Sequence, residues 1–191
     1  FCNIFLADEI NRTSSKTQAA LLEVMEEGRT TVDGITYQLP QPFTVLATQN
    51  PYGSAGTQLL PDSQLDRFMV RLTMGYPSLE DEIEILKRKS QENPLDIIRS
   101  VCKPQDIIEL QKQVDQVYVD DKIYDYIVRI IHKTRDHELI QQGASPRTSI
   151  SLLKMVKAIA YMEHRNYVIP DDIKKVIYDV LSHSLILTYD A

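Results

Sequence analysis

Phe5-Leu6-Ala7-Asp8-Glu9-Ile10-Asn11-Arg12 is the stretch whose reading decides the fold. Ile4 through Ala7 are apolar and read as a buried strand. The strand ends in two adjacent carboxylates, Asp8 and Glu9. Ligands of α/β folds bind at the carboxyl edge of such strands. In nucleotide hydrolases an Asp at that edge supports magnesium, and the next acid polarises the attacking water. An Asp-Glu pair after a strand also opens an ordinary loop or caps a helix, so the pair alone leaves both readings open. The strand is already under way near residue 1, with neither an initiator Met nor the basic stretch of a secretory signal before it. A central strand needs neighbours on both edges. The sequence is therefore expected to be the downstream piece of a longer protein.

Working outward, Ser14 or Ser15 caps a helix that runs to about Glu27. Ala19, Leu22 and Met25 recur at helical spacing, Leu21 and Val24 widen the stripe, and Gly28 stops it. From Thr30 to Tyr37, β-branched residues flank Asp33-Gly34, the signal for a hairpin with a tight two-residue turn. Pro40 and Pro42 end it. Phe43 to Thr48 reads as a second buried strand that delivers Gln49-Asn50-Pro51 to its end. A glycine-containing loop, Leu59-Leu60-Pro61 and a short helix around Ser63 to Asp66 follow, then a third strand from Phe68 to Met74. At Tyr76-Pro77 the character changes, and only helices are read beyond it: about 79–91, 104–116, 120–137, 147–164 and 170–185. Pro104 and Pro170 sit at first turns, where a missing N–H costs nothing. Ile83 with Leu86, Ile127 with Ile130 and Ile131, and Leu152 with Leu153 and Val156 supply amphipathic stripes. The expected division is strands with helices over 1–76, then an all-α unit over 77–191.

Composition bounds the function. The 191 residues, 43% hydrophobic and 25% charged, suit one soluble domain or two small ones. No apolar stretch approaches the roughly 18–20 residues of a membrane span. Acidic residues outnumber basic ones 27 to 21, for a net charge of −6, which argues against a protein built to neutralise phosphate backbones. Cys2 and Cys102 lack metal-ligand spacing, and a reducing cytoplasm is the expected location. His132 and His137 are five apart on a helix, not the three or four that put two ligands on one face. Ser14 and Ser15 have no His partner at readable spacing for a nucleophilic triad. The ten tyrosines lack the basic interleaving of a base-stacking surface.

Three further positions carry possible chemistry. Asn50 offers a neutral amide that orients a lytic water or touches a terminal phosphate, or else simply caps a turn before Pro51. Arg67, just ahead of the third strand, has a planar fork suited to a phosphate, including one bound by a neighbouring subunit. The bland alternative is a surface salt bridge. Arg147 follows Pro146 at the start of a helix, where the macrodipole disfavours a cation, so it reads as an anion-facing group or as a solvated arginine. A phosphate-cradling loop needs Gly-x-x-x-x-Gly-Lys and then Ser or Thr. The glycines at 28, 34, 53, 56, 75 and 143 do not supply it.

In their order and spacing these segments resemble the MoxR group of AAA+ ATPases. Phe5 to Arg12 is similar to that family's Walker B strand and its Asp-Glu-Ile-Asn-Arg extension, and Ala20 to Glu27 to its next helix. Val32-Asp33-Gly34 with Leu39-Pro40-Gln41-Pro42-Phe43 resembles the hairpin before sensor one, and Ala47-Thr48-Gln49-Asn50-Pro51 the sensor strand. Leu60-Pro61, Gln64-Leu65-Asp66-Arg67-Phe68 and Tyr76-Pro77-Ser78 continue the likeness, and Ser145-Pro146-Arg147 resembles the sensor-two motif of the helical lid. The resemblance spans essentially the whole chain. It implies the later α/β part of a P-loop AAA+ core, with parallel strands, helices and a β-hairpin, followed by an all-α helical lid.

The resemblance also implies roles. Asp8 would support Mg2+ and Glu9 would activate the attacking water. Asn50 would register the γ-phosphate of ATP. Arg67 would be an arginine finger in the next subunit's site, and Arg147 would close the lid over the phosphates. Arg12 is a candidate second interface arginine. The implied protein is a ring-forming, hexameric, chaperone-like ATPase. It would remodel client proteins or insert cofactors into them, often partners with von Willebrand factor A domains. A related motor acting on nucleic acid is disfavoured by the hairpin tip Val32-Asp33-Gly34-Ile35, which holds no basic residue. A non-catalytic docking module has no physical need for Asp8, Glu9, Asn50, Arg67 and Arg147 together. In this family the phosphate loop lies upstream of Walker B. Since its lysine and amides make most pyrophosphate contacts, this chain alone is expected to bind ATP weakly and hydrolyse none. Titration calorimetry with magnesium-ATP checks this, and micromolar affinity with turnover would overturn it.

Overall fold

In the computed structural model, residues 2–50, 60–89 and 97–190 are described. The opening strand β1 (Ile4–Ala7) pairs in parallel with β4 (Thr44–Ala47), in register from Ile4 opposite Thr44 to Ala7 opposite Ala47. The chain between them makes the crossover that a parallel pair requires. It starts with a 3₁₀ turn over Ile10–Arg12 and continues into α1 (Ser15–Glu27). Ser14 caps α1 by accepting the Thr17 N–H at 3.2 Å, and Gly28 ends it in the left-handed region at φ 61°. The buried face of α1 is built from Leu22 and, unexpectedly, Gln18.

β2 (Arg29–Val32) and β3 (Ile35–Gln38) form the hairpin read from Asp33-Gly34. Both turn residues have positive φ, 51° and 78°, as a two-residue turn matching the strand twist requires. The short helix α2 spans Asp62–Leu65. The glycine-containing loop and Leu59 lie outside the described residues.

The expected third strand is not one. From Phe68 to Met74 the chain is irregular, and among the described residues no strand pairs with it. Its apolar alternation at Phe68, Val70 and Leu72 suits extended backbone, but a strand is defined by a neighbour that takes its N–H and C=O groups. Here those groups go to α7 (Pro170–Leu181) and the residues just after it: Arg71 N–H donates to the Asp179 carbonyl at 2.8 Å, and His183 Nε2–H to the Phe68 carbonyl at 2.8 Å.

The helices of the second unit are α3 (Leu79–Lys89), α4 (Pro104–Asp115), α5 (Asp121–Arg135), α6 (Pro146–Met162) and α7. Proline occupies the first position of α4, α6 and α7. The reading of α3 beyond residue 89 lies outside the described residues. The core is a contiguous cluster fed at four-residue spacing, by Ile123, Ile127 and Ile131 from α5 and by Leu152, Val156 and Ala160 from α6. Ile173, Val176 and Val180 of α7 complete it. The stripe of α3 behaves otherwise, with Ile83 and Leu86 exposed.

The unit is helical but not purely so. β5 (Ile140–Gln142) and β6 (Ile186–Leu187) form a small antiparallel ribbon, too short to leave a periodic signal. Gly143 beside it is required by close approach, because a Cβ there would stand 2.6 Å from the Thr134 carbonyl oxygen.

One buried charge organises the end of the bundle. Asp172 is fully buried, accepts the Ile169 N–H at 2.9 Å, and takes a two-pronged grip from Arg165 at 3.0 and 2.5 Å. That hydrogen bonding holds the Arg165 guanidinium above its ordinary pKa. Removing one partner leaves the other's charge uncompensated, an effect softened by the solvent contact that Arg165 keeps. Asp172→Ala is expected to reduce hydrogen-exchange protection of α7 about a hundredfold. Asp171→Ala, which loses only an exposed pair with Lys174, should leave protection nearly unchanged.

Candidate active site

The parallel register places the residues that follow β1 and β4 side by side at one edge. Thr48 joins them. Its N–H donates to the Ala7 carbonyl at 3.0 Å, and its carbonyl accepts the Ile10 N–H at 3.0 Å. Its hydroxyl donates to Asp8 Oδ1 at 2.5 Å and accepts the Glu9 N–H at 2.8 Å. One threonine therefore orients both carboxylate-bearing residues. Glu9 is held at φ 48°, ψ 48°, a left-handed conformation that costs a non-glycine residue about 1–3 kcal/mol and clusters at functional sites. Its carboxylate pairs with Arg12 at 3.2 Å, within the chain, through two half-exposed side chains. Such a pair contributes little to stability.

Asn50 is brought to the same edge by a side chain the sequence reading left without a role. Asn11 is buried, donates through Nδ2 to the Asn50 carbonyl at 3.2 Å, and accepts the Asn50 N–H at Oδ1 at 3.4 Å. Asn11 thus grips the backbone of residue 50 on both sides. Gln18 in turn donates from Nε2 to the Ile10 carbonyl at 3.2 Å, tying α1 to the 3₁₀ turn. A buried amide on an otherwise apolar face must find partners, which is the signal that could have singled out Gln18.

Arg67 and Arg147 are not at this edge. Both reach Glu26 in the last turn of α1, Arg67 Nη1 at 3.1 Å from Oε2 and Arg147 Nη2 at 2.6 Å from Oε1. Glu26 lies eight residues beyond Gln18, about 12 Å along the helix axis. Arg147 thus stands with Arg67 at the far end of α1 from Asp8 and Glu9. Asp66 reinforces this arrangement. It accepts the Ser145 hydroxyl at 2.7 Å and the Thr148 hydroxyl at 3.1 Å, so the chain at Arg67 is stitched to the start of α6.

Chemically, the edge presents oxygen donors and one exposed carboxylate. Among the described residues Asp8 Oδ2 makes no hydrogen bond, while Oδ1 is fixed by Thr48. A single oriented carboxylate with neighbouring hydroxyl and amide oxygens fits Mg2+, which takes few protein ligands and leaves the rest to water and substrate phosphates. Glu9, next along, adds a second, half-exposed carboxylate at the same edge.

Comparison with known proteins gives the family. Residues 1–70 match the family model of the ATPase family associated with various cellular activities (AAA), and residues 132–191 match the AAA lid domain. The chain is 51% identical over 189 residues to the uncharacterized protein YeaC of Bacillus subtilis, covering 99% of this chain and 59% of that protein. It is 41% identical over 198 residues to chaperone MoxR1 of Mycobacterium tuberculosis, covering 99% and 52%. A crystal structure of a protein assigned as an ATPase from Cytophaga hutchinsonii superposes with a TM-score of 0.93 at 39% identity, over 99% of this chain and 60% of that one. The chain thus spans little more than half the length of these relatives. Family models, relatives and solved structure converge: the chain belongs to the MoxR group of AAA+ ATPases.

Proposed function

We propose that the full-length protein is an ATPase whose site is split between subunits of a ring, a hexamer by family likeness, and that it remodels client proteins. The observation carrying this reading is the separation of two half-sites on one helix. Asp8, Glu9 and Asn50 gather at the start of α1, and Arg67 and Arg147 at its end. Half-sites at opposite ends of one helix would be completed by a neighbouring subunit packed alongside.

Bound Mg2+ would neutralise charge on the ATP phosphates. Asp8 would hold it, its carboxylate already turned by Thr48. Glu9 would take the proton of the attacking water, and its pair with Arg12 is weak enough to be given up for that water. Asn50, its backbone gripped by Asn11, would touch the γ-phosphate. The guanidinium of Arg67 would enter the neighbouring subunit's site and stabilise charge on the transferred phosphoryl.

Client remodelling or cofactor insertion rests on likeness to a relative named as a chaperone. A client bearing a von Willebrand factor A domain is the family-based expectation, and the cytoplasm is the proposed location. The hairpin tip, with Val32 and Ile35 exposed and no basic residue, favours a protein client over nucleic acid. We propose 1–76 and 77–191 as core and lid, with residues 66–71 stitched across that division.

In the full-length protein, Glu9→Gln should reduce hydrolysis by roughly 10²–10⁴-fold with nucleotide binding retained. Phosphate release and binding of a labelled nucleotide measure the two. Arg67→Ala should lower turnover by about 10³–10⁵-fold without loss of nucleotide binding. Mixing full-length Arg67→Ala with full-length Glu9→Gln should restore partial activity, because some interfaces then pair an intact Glu9 with an intact Arg67. Light scattering establishes co-assembly. Co-assembled mixtures that never turn over ATP would defeat the split-site reading.

A further inference from the structure

Glu26 lies on neither half of the site as read from sequence, yet it touches both arginines. Its two carboxylate oxygens are divided between them, one to Arg67 and one to Arg147. Local physics does not favour an acid here. Glu26 and Glu27 lie in the last turn of α1, where the macrodipole is negative, and α1 has no basic residue in that turn. Something beyond helix stability accounts for the carboxylate.

Two guanidiniums gripped by one carboxylate are too close for salt to screen, since the Debye length is about 8 Å at physiological ionic strength. Without a counter-charge they would repel and turn apart. Each guanidinium uses one nitrogen on Glu26 and retains most of its five N–H donors. Among the described residues those remaining donors have no partner. Two guanidiniums thus share one carboxylate, each through a single nitrogen, with a net charge of +1.

We propose that Glu26 is a positioning residue that holds Arg67 and Arg147 as one cationic unit for the phosphates bound by the neighbouring subunit. The proposal rests on the reading that Arg67 acts across the interface, and it carries Arg147 with it. It differs from a simple core-to-lid clamp, because that task is already met by Asp66 with Ser145 and Thr148. Losing the Glu26 carboxylate should therefore change the aim of the arginines and not the docking of the lid.

Glu26→Gln in the full-length protein tests this. Glutamine keeps the shape but offers one acceptor oxygen, and its amide faces the second guanidinium donor to donor. Turnover should fall about 10- to 100-fold, the scale of a misaligned catalytic group. Nucleotide affinity, measured in the Glu9→Gln background to prevent hydrolysis, should stay within about twofold, which also reports an intact fold. Complementation then assigns the side of the interface. Glu26→Gln mixed with Glu9→Gln should regain activity above either alone, whereas Glu26→Gln mixed with Arg67→Ala should not. Parental turnover in Glu26→Gln, a clear loss of affinity, or recovery with Arg67→Ala would each overturn the proposal. Failure of the control mixture of Arg67→Ala with Glu9→Gln would instead remove the split-site reading on which it rests.

Discussion

The hydrogen bonds of Thr48 are the constraint on which the site depends. A parallel strand pair by itself only places two chain ends near one another. The Thr48 backbone extends the pairing one step beyond β1 and β4, and its hydroxyl fixes the carboxylate of Asp8 and the backbone of Glu9. The left-handed conformation of Glu9 is sustained by those bonds together with the turn that follows, in which Arg12 N–H donates to the Glu9 carbonyl at 2.9 Å. Asn11, placed by the same turn, returns the restraint to Asn50. The edge is therefore one hydrogen-bonded unit in which no member is oriented independently.

A second set of polar contacts sets where the arginines lie. The segment after α2 gives up strand pairing and lies along the end of the helical bundle, held by His183 at Phe68, by Asp179 at Arg71 and by Asp66 at the start of α6. Val70 packs against the helical core. Because Arg67 is within this segment and Arg147 opens α6, the two arginines are drawn together by how the second unit docks. α1 then acts as a spacer. Its start supports the carboxylate edge through Gln18, and its end carries Glu26 between the arginines. A rigid helix of this length keeps the two halves apart within a subunit.

Motifs with a strong local signal were legible. Asp33-Gly34 dictates a turn in which both residues take positive φ, and proline at the first helical position marks α4, α6 and α7. The apolar run of Ile4 to Ala7 marks a strand that ends at Asp8 and Glu9. Phe68 to Met74 misled for a physical reason: alternation reports which faces are apolar, while strand character depends on who takes the backbone hydrogen bonds. The β5–β6 ribbon was missed because three- and two-residue strands carry no period.

What the sequence by itself determined is most of the local elements, the family, and the identity of Asp8, Glu9, Asn50, Arg67 and Arg147 as chemically capable groups. Each of these follows from short-range patterning or from motif order along the chain. Only the tertiary structure decided how they are grouped. Thr48 meets Asp8 and Glu9 across some forty residues, and Glu26 meets Arg67 and Arg147 across still longer separations. The placement of Arg147 with Arg67, away from the carboxylates, comes from the docking of α6 against the segment at Asp66. Such contacts depend on which elements pack side by side, and no local propensity encodes that.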